Sequence, residues 1–267
     1  MIRRHWLRAA IAAICGLFAA RLPGAGLAAD PPGNRVRPGE PGWPDAAAWE
    51  RLNRAAGGRL LAVRSPLEAC REAPAGCVRL FESLRNPYYL GDEPGLTQTL
   101  GWVDAWTLRP SAYAVAAQTA GDVAAAVDFA HEHRLRLVVK GGGHSYKGAS
   151  NAADSLLVWT RAMNAIEVHD DFVPAGCAEA PVPAVSVGAG AIWGQVYDAV
   201  TTRVGRYVQG GGCLTVGVAG LVQAGGFGSF SKAYGLAAAS LLEAEVVTAD
   251  GAAGSPMPAP IRTCSGR

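Results

Sequence analysis

Lys140-Gly141-Gly142-Gly143-His144-Ser145-Tyr146 and Gly210-Gly211-Gly212-Cys213-Leu214-Thr215-Val216-Gly217-Val218-Ala219-Gly220 decide how this chain is read. Each passes through three consecutive glycines to one side chain that can act as a nucleophile. A strand that ends in glycines offers backbone N–H groups to an anion, and no Cβ stands in front of them. A third segment, Gly188-Ala189-Gly190, has the same character, and Gly225, Gly226 and Gly228 continue the second. The span from Gly210 to Gly235 holds nine glycines in 26 residues. Glycine segments recurring at strand ends point to a large, phosphate-containing ligand lying across the fold. The alternative is a set of tight turns and close backbone packing. His144 could then be an ordinary loop histidine, and Cys213 a small buried hydrophobe.

Around these loops, short apolar runs alternate with helical spacing. Ala112 to Gln118 reads as a strand, Thr119 as an N-cap, and Val123, Val127 and Ala130 as one helix face reaching His133. Leu135–Val139, Leu156–Trp159, Ala165–Val168, Ala184–Val187 and Leu241–Thr248 read as strands. Ile192 to Val204 reads as a helix, Tyr207-Val208 as a short extended piece, and Asp250-Gly251 as a turn. Upstream, Asp30 to Pro44 reads as a flexible linker and Asp45 to Gly57 as a helix. Val78 to Phe81 fits a helix or a strand, and Asn86 to Gly101 reads as a surface loop. The class is α+β or α/β, with no fixed internal period.

Composition narrows the functions. The 267 residues are 50% hydrophobic and 17% charged, which excludes a disordered chain. No apolar run is long enough for a multi-span membrane protein. A net charge of +2 is too weak to argue for nucleic acid. Neither a P-loop nor a Gly-x-Gly-x-x-Gly after the first strand of a βαβ unit is present. His/Cys spacing for zinc is absent too, so no metal is expected.

Residues 1–29 have the form of an export signal. Arg3, Arg4 and Arg8 precede the apolar stretch Ala9–Ala20 and the small residues up to Ala29. Arg3-Arg4-His5-Trp6-Leu7-Arg8 is similar to a twin-arginine signal, and an ordinary Sec signal is the alternative. Cleavage would remove four arginines and no acid, leaving the remainder at −2. A periplasmic or secreted, disulfide-permissive location follows as an expectation. Cys15 would leave with the signal, while Cys70, Cys77, Cys177, Cys213 and Cys264 would remain. Cys70 and Cys77 are expected to form a local disulfide, the alternative being two free thiols.

The two opening stretches, with Gly225-Gly226-Phe227-Gly228, Tyr234-Gly235 and Leu241 to Gly251, resemble the FAD-linked oxidases of the berberine bridge enzyme-like group. That group shares the PCMH-type (vanillyl-alcohol oxidase) FAD-binding fold. The resemblance covers residues 110–251 and implies an α+β FAD-binding domain of two small subdomains. Residues 30–109 match less well and read as an N-terminal extension. The resemblance implies that His144 attaches to the flavin 8α-methyl carbon and Cys213 to C6, so that FAD would be held by one or both bonds. Imidazole and thiolate are suitable nucleophiles for those electrophilic carbons. Gly141, Gly142, Gly143 and Ser145 would cradle the pyrophosphate. Gly212, Thr215, Val216, Gly217, Gly220, Gly225, Gly226 and Gly228 would line the flavin, and Val246 would lie near the adenine. The implied partners are a small alcohol-, carbohydrate- or alkaloid-like substrate and O2, with neither nucleic acid nor membrane once the signal is gone. Ala239-Ser240 departs from the Asp-Asn pair frequent in the group.

Residues 252–267 also depart from the group's pattern. Back-translated and shifted by one base, the tail can read Ile-Ala-Asn-Ala-Cys-Thr-Asn-Pro-Asp-Leu-Phe-Trp-Ala-Leu, which resembles the segment expected there. A frameshift near codons 252–254 is therefore expected, with the FAD domain incomplete at its C-terminal end, no substrate domain, catalytic residues unknown and no turnover by the isolated chain. Two other readings stand beside it. One is a secreted flavin-binding module that needs a partner chain, and the other a glycine-rich extracellular binding protein without cofactor.

Overall fold

The apolar spacing around Thr119 builds one half of the molecule. The structure, a computed structural model, describes residues 35–72, 74–99, 101–102, 105–175 and 180–258. In chain order they form α1 (Ala46–Ala55), β1 (Leu60–Ala62), α2 (Pro66–Glu72), α3 (Pro74–Ser83), α4 (Pro87–Asp92), β2 (Gly101–Trp102), β3 (Trp106–Thr107) and β4 (Tyr113–Ala116). There follow α5 (Ala120–Glu132), β5 (Arg136–Lys140), β6 (Ser155–Trp159), β7 (Ile166–Phe172), β8 (Val182–Val187) and α6 (Trp193–Tyr197). The last are α7 (Val218–Gln223), α8 (Ser231–Tyr234), β9 (Glu243–Val247) and β10 (Ala253–Pro258). The signal read at residues 1–29, with Cys15, lies outside the described residues, as do Cys177, Cys264 and 259–267.

Four strands form a sheet in the order β1-β4-β6-β5. β4 and β5 both run parallel to β6, and β1 is antiparallel to β4. Leu156, Leu157 and Val158 of the central strand are wholly buried, as expected of a strand covered on both faces. Trp49 and Leu52 of α1 and Ala126, Phe129 and Ala130 of α5 pack into one core with Val115 and Val158. Trp49 stacks on Tyr113 at 4.0 Å between ring centroids. A second core joins the antiparallel β7–β8 hairpin, through Ile166, Val168, Val185 and Val187, to Ala191, Trp193, Val196, Val200 and Val218. This is the α+β architecture of two small subdomains.

Thr119 caps α5 as expected. Its hydroxyl accepts from the Asp122 N–H at 3.2 Å, and the Asp122 carboxylate accepts from the N–H groups of Gln118 and Thr119 at 2.8 and 3.0 Å. Arg59 donates to the other oxygen of Asp122 at 2.6 Å and so ties α5 to the start of β1. Burial alone would raise the Asp122 pKa, but the Arg59 and backbone hydrogen bonds bring it below the ordinary carboxylate value. A lowered native pKa adds stability that is present above the unfolded value of about 4 and is lost as pH falls through the native one. Asp122→Ala should cost about 1–2 kcal/mol at neutral pH and should flatten the acid limb of stability, read by urea melts from pH 7 to pH 3.

Four expectations are corrected. Residues 36–44 are not a flexible linker: Val36 is buried, its N–H donates to Arg134 O at 3.0 Å, and Trp43 packs against the core. Their glycines instead make fixed turns, Gly39 and Gly42 having φ of 85° and 94°. The upstream segment is built into the domain rather than appended to it, because it supplies α1 and the edge strand β1. Asn86 to Gly101 is not a surface loop. Asn86 caps α4 by accepting from the Tyr88 N–H at 3.0 Å, Pro87 opens the helix, and Leu96 and Thr97 are buried. The helix expected over Ile192–Val204 is α6 followed by a π-turn, Asp198–Thr202, closed by Arg203 N–H on Asp198 O.

Val78–Phe81 resolves as helix within α3, and Tyr207-Val208 pairs with no strand among the described residues. Cys70 and Cys77 form the expected disulfide. Ala253 and Gly254 pair with Val247 and Val246, so the start of the divergent tail forms a β9–β10 hairpin.

Candidate flavin site

The site lies beyond the C-terminal ends of β5 and β6, where ligands bind in open sheets with parallel strands. β5 delivers Lys140 and then the glycine loop. β6 delivers Thr160, whose hydroxyl donates to Lys140 O or Ala189 O, each 3.3 Å away. Gly188 and Gly190 answer a packing demand. A Cβ on Gly188 would lie 2.2 Å from Met163 O, and one on Gly190 1.7 Å from Thr160 O. Close packing therefore explains this third glycine segment.

Residues 191–194 hold the second loop. Trp193 N–H donates to Val216 O at 3.0 Å, Gly194 N–H to Leu214 O at 2.8 Å, and Val218 N–H to Ala191 O at 2.9 Å. The two glycine loops then meet face to face. A Cβ on Gly142 would stand 2.5 Å from Thr215 O and 2.7 Å from Gly217 N, and one on Gly217 2.8 Å from Gly142 N. Only facing glycines permit this approach.

The approach joins two residues separated by 69 positions in the chain. His144 Nε2 is 2.9 Å from the Thr215 hydroxyl, and Cys213 Sγ is 3.5 Å from the same oxygen. Imidazole and thiol thus converge on one hydroxyl. Burial lowers the His144 pKa and favours the neutral, nucleophilic ring, while a hydrogen bond to the Thr215 backbone opposes the shift. Hydrogen bonds from the Thr215 hydroxyl and the Thr215 and Val216 amides hold the exposed Cys213 thiol below its ordinary value. A lowered thiol pKa gives more thiolate near neutrality.

The remaining expected residues divide by what they face. Gly143 takes a left-handed φ of +77°, which makes the turn into His144. Ser145 Oγ accepts from the N–H groups of Lys147 and Ala149 and so stabilises its own loop. Gly225 and Gly226 have φ of 95° and 79°, and a Cβ on Gly228 would lie 2.0 Å from Gly210 O. Gly212 and Gly220 differ, since a Cβ on either would meet no protein atom within 4 Å. Val246 stands half-exposed on β9, in the hairpin with β10. Lys140 is buried directly under the glycine loop, and no pattern in the sequence marks it as such. The residues present fit a flavin: a soft and a nitrogen nucleophile lie side by side, with open glycine backbone beside the thiol.

A family model described as FAD binding domain matches residues 110–253. The chain belongs to that FAD-binding family. FAD is accordingly the cofactor of this domain. An FAD-linked oxidoreductase of Malbranchea aurantiaca is 33% identical over 242 residues, covering 81% of this chain and 41% of the relative. A bifunctional decalin synthase of Penicillium decumbens is 36% identical over 237 residues, covering 81% and 40%. The fold is similar to that of a VAO-type flavoprotein of Myceliophthora thermophila C1, with a TM-score of 0.72 and 31% identity over 82% of this chain and 43% of that one. The chain spans about 40% of the length of the curated relatives it matches. The alignments extend upstream of the family match, in keeping with the built-in α1 and β1.

Proposed function

We propose that this domain holds FAD covalently through His144 and Cys213 and serves an exported oxidase acting on an alcohol-, carbohydrate- or alkaloid-like small molecule. The observation that carries the reading is the convergence of His144 Nε2 and Cys213 Sγ on the Thr215 hydroxyl. Bound flavin supplies the two-electron chemistry that passes reducing equivalents from substrate to O2, giving H2O2. His144 and Cys213 would hold the ring, each bond replacing one N–H or S–H and one flavin C–H, with the two hydrogens passing to O2 as H2O2. Thr215 positions both nucleophiles, the Gly142–Gly217 contact fixes their spacing, and the open backbone at Gly212 lets a planar ring approach. Export is supported by the Cys70–Cys77 disulfide, a bond typical of oxidising compartments. Neither nucleic acid nor a membrane surface has a part in this reading. Among the described residues no helix is long and apolar enough to cross a membrane.

A second reading, a flavin-binding module that works with a partner chain, is favoured by one observation. Leu214, Phe227, Phe230 and Tyr234 form an exposed apolar set around the glycine-rich segment. The test is O2-dependent H2O2 release by the purified chain over a panel of alcohols and sugars, together with its flavin content. Bound flavin with turnover rules out the module, bound flavin without turnover rules out turnover by these residues alone, and a colourless chain refutes both readings.

A further inference from the structure

Lys140 is 1% exposed, although it ends a strand one residue before the glycine loop. Its Nζ donates to the carbonyls of Glu93, Pro94 and Leu96 at 2.7, 2.9 and 3.0 Å and lies 5.4 Å from the Trp159 ring centroid. All three ammonium protons are thereby given to one short strap, residues 93–98, which runs out of α4. The strap in turn touches the loop. Gln98 N–H donates to Gly143 O at 3.0 Å, and the Thr97 Cα lies 3.4 Å from the position of a Gly143 Cβ. Gly143 is the left-handed turn immediately before His144.

We infer that Lys140 is a positioning residue for His144: it gathers the strap carbonyls beneath β5 and so fixes the Gly143 turn that aims the imidazole at Thr215 and Cys213. The inference rests on the reading of His144 as a flavin-attachment residue. Lys140 acts through the strap and touches no ligand. Its removal would leave Leu96 O with its buried donor missing, whereas Glu93 O keeps the Leu96 N–H at 3.2 Å and Pro94 O keeps Asn151 Nδ2 at 2.8 Å.

The test is amide hydrogen exchange of the strap, Gln98 included, on the wild-type chain and Lys140→Met at one pH. The flavin adduct on the His144 peptide is measured by mass spectrometry on the same samples. The expected result is a protected Gln98 amide in the wild type, at least a tenfold loss of that protection in Lys140→Met, and at least a tenfold loss of the His144 adduct in that variant. An unprotected Gln98 amide in the wild type overturns the inference even if the variant does not fold, and an undiminished His144 adduct in folded Lys140→Met overturns it equally. Strap exchange needs no flavin. A protected strap in a wild-type chain without covalent flavin would therefore refute the attachment reading and leave the hold of Lys140 on the loop standing.

Discussion

His144→Ala/Cys213→Ala is expected to remove all flavin that survives denaturation, while each single variant keeps one bond. The two side chains reach one hydroxyl from separate loops, so neither depends on the other for its place. The single variants should differ in pH dependence. Attachment through Cys213 should persist below the usual thiol range, because the hydrogen bonds around Thr215 favour its thiolate. Attachment through His144 should fall only once its imidazole is protonated, at a pH below the ordinary histidine value. Thr215→Val should keep the backbone and weaken both bonds, since it deletes the shared hydroxyl. In-gel fluorescence of denatured samples reads each case.

Gly142→Ala should push the two glycine loops apart. The added carbon would lie 2.5 Å from Thr215 O and 2.7 Å from Gly217 N, both backbone atoms that cannot rotate away. Overpacking of this kind costs about 1–3 kcal/mol and would part the two loops, so flavin content should fall by more than tenfold. Gly212→Ala is the contrasting case, because its Cβ meets no protein atom within 4 Å. Its unfolding midpoint should match the wild type while its flavin content falls, if the space beside Cys213 belongs to the ring. Thermal melts and flavin absorbance on the same preparations separate the two effects.

Much of the domain was legible in the sequence because local chemistry decides it. Thr119 and Asp122 announce the start of α5, and the apolar run at Leu156–Val158 announces a central strand. The segment before residue 110 is not legible in this way, because its order comes from distant partners. Val36 is held by Arg134, β1 by β4, and the strap after α4 by Lys140. The Asn86-Pro87 pair was the available signal for α4, and the many turn-forming residues after it masked it.

The glycines were legible as a group but not one by one. Gly188 and Gly190 serve backbone packing, Gly142 and Gly217 serve each other, and Gly212 and Gly220 face open space. No spacing rule separates these roles, since each depends on what the fold brings opposite the missing Cβ. The burial of Lys140 is illegible in the sequence for the same reason. A lysine at a strand end ordinarily reaches solvent, and this one is met instead by three carbonyls of a strap 44 to 47 residues away in sequence.

Mass spectrometry of the purified, denatured and proteolysed chain tests the central claim most directly. The account predicts flavin adducts on the peptides that contain His144 and Cys213, and on no others. A flavin released intact on denaturation, or an adduct on any other residue, would contradict it.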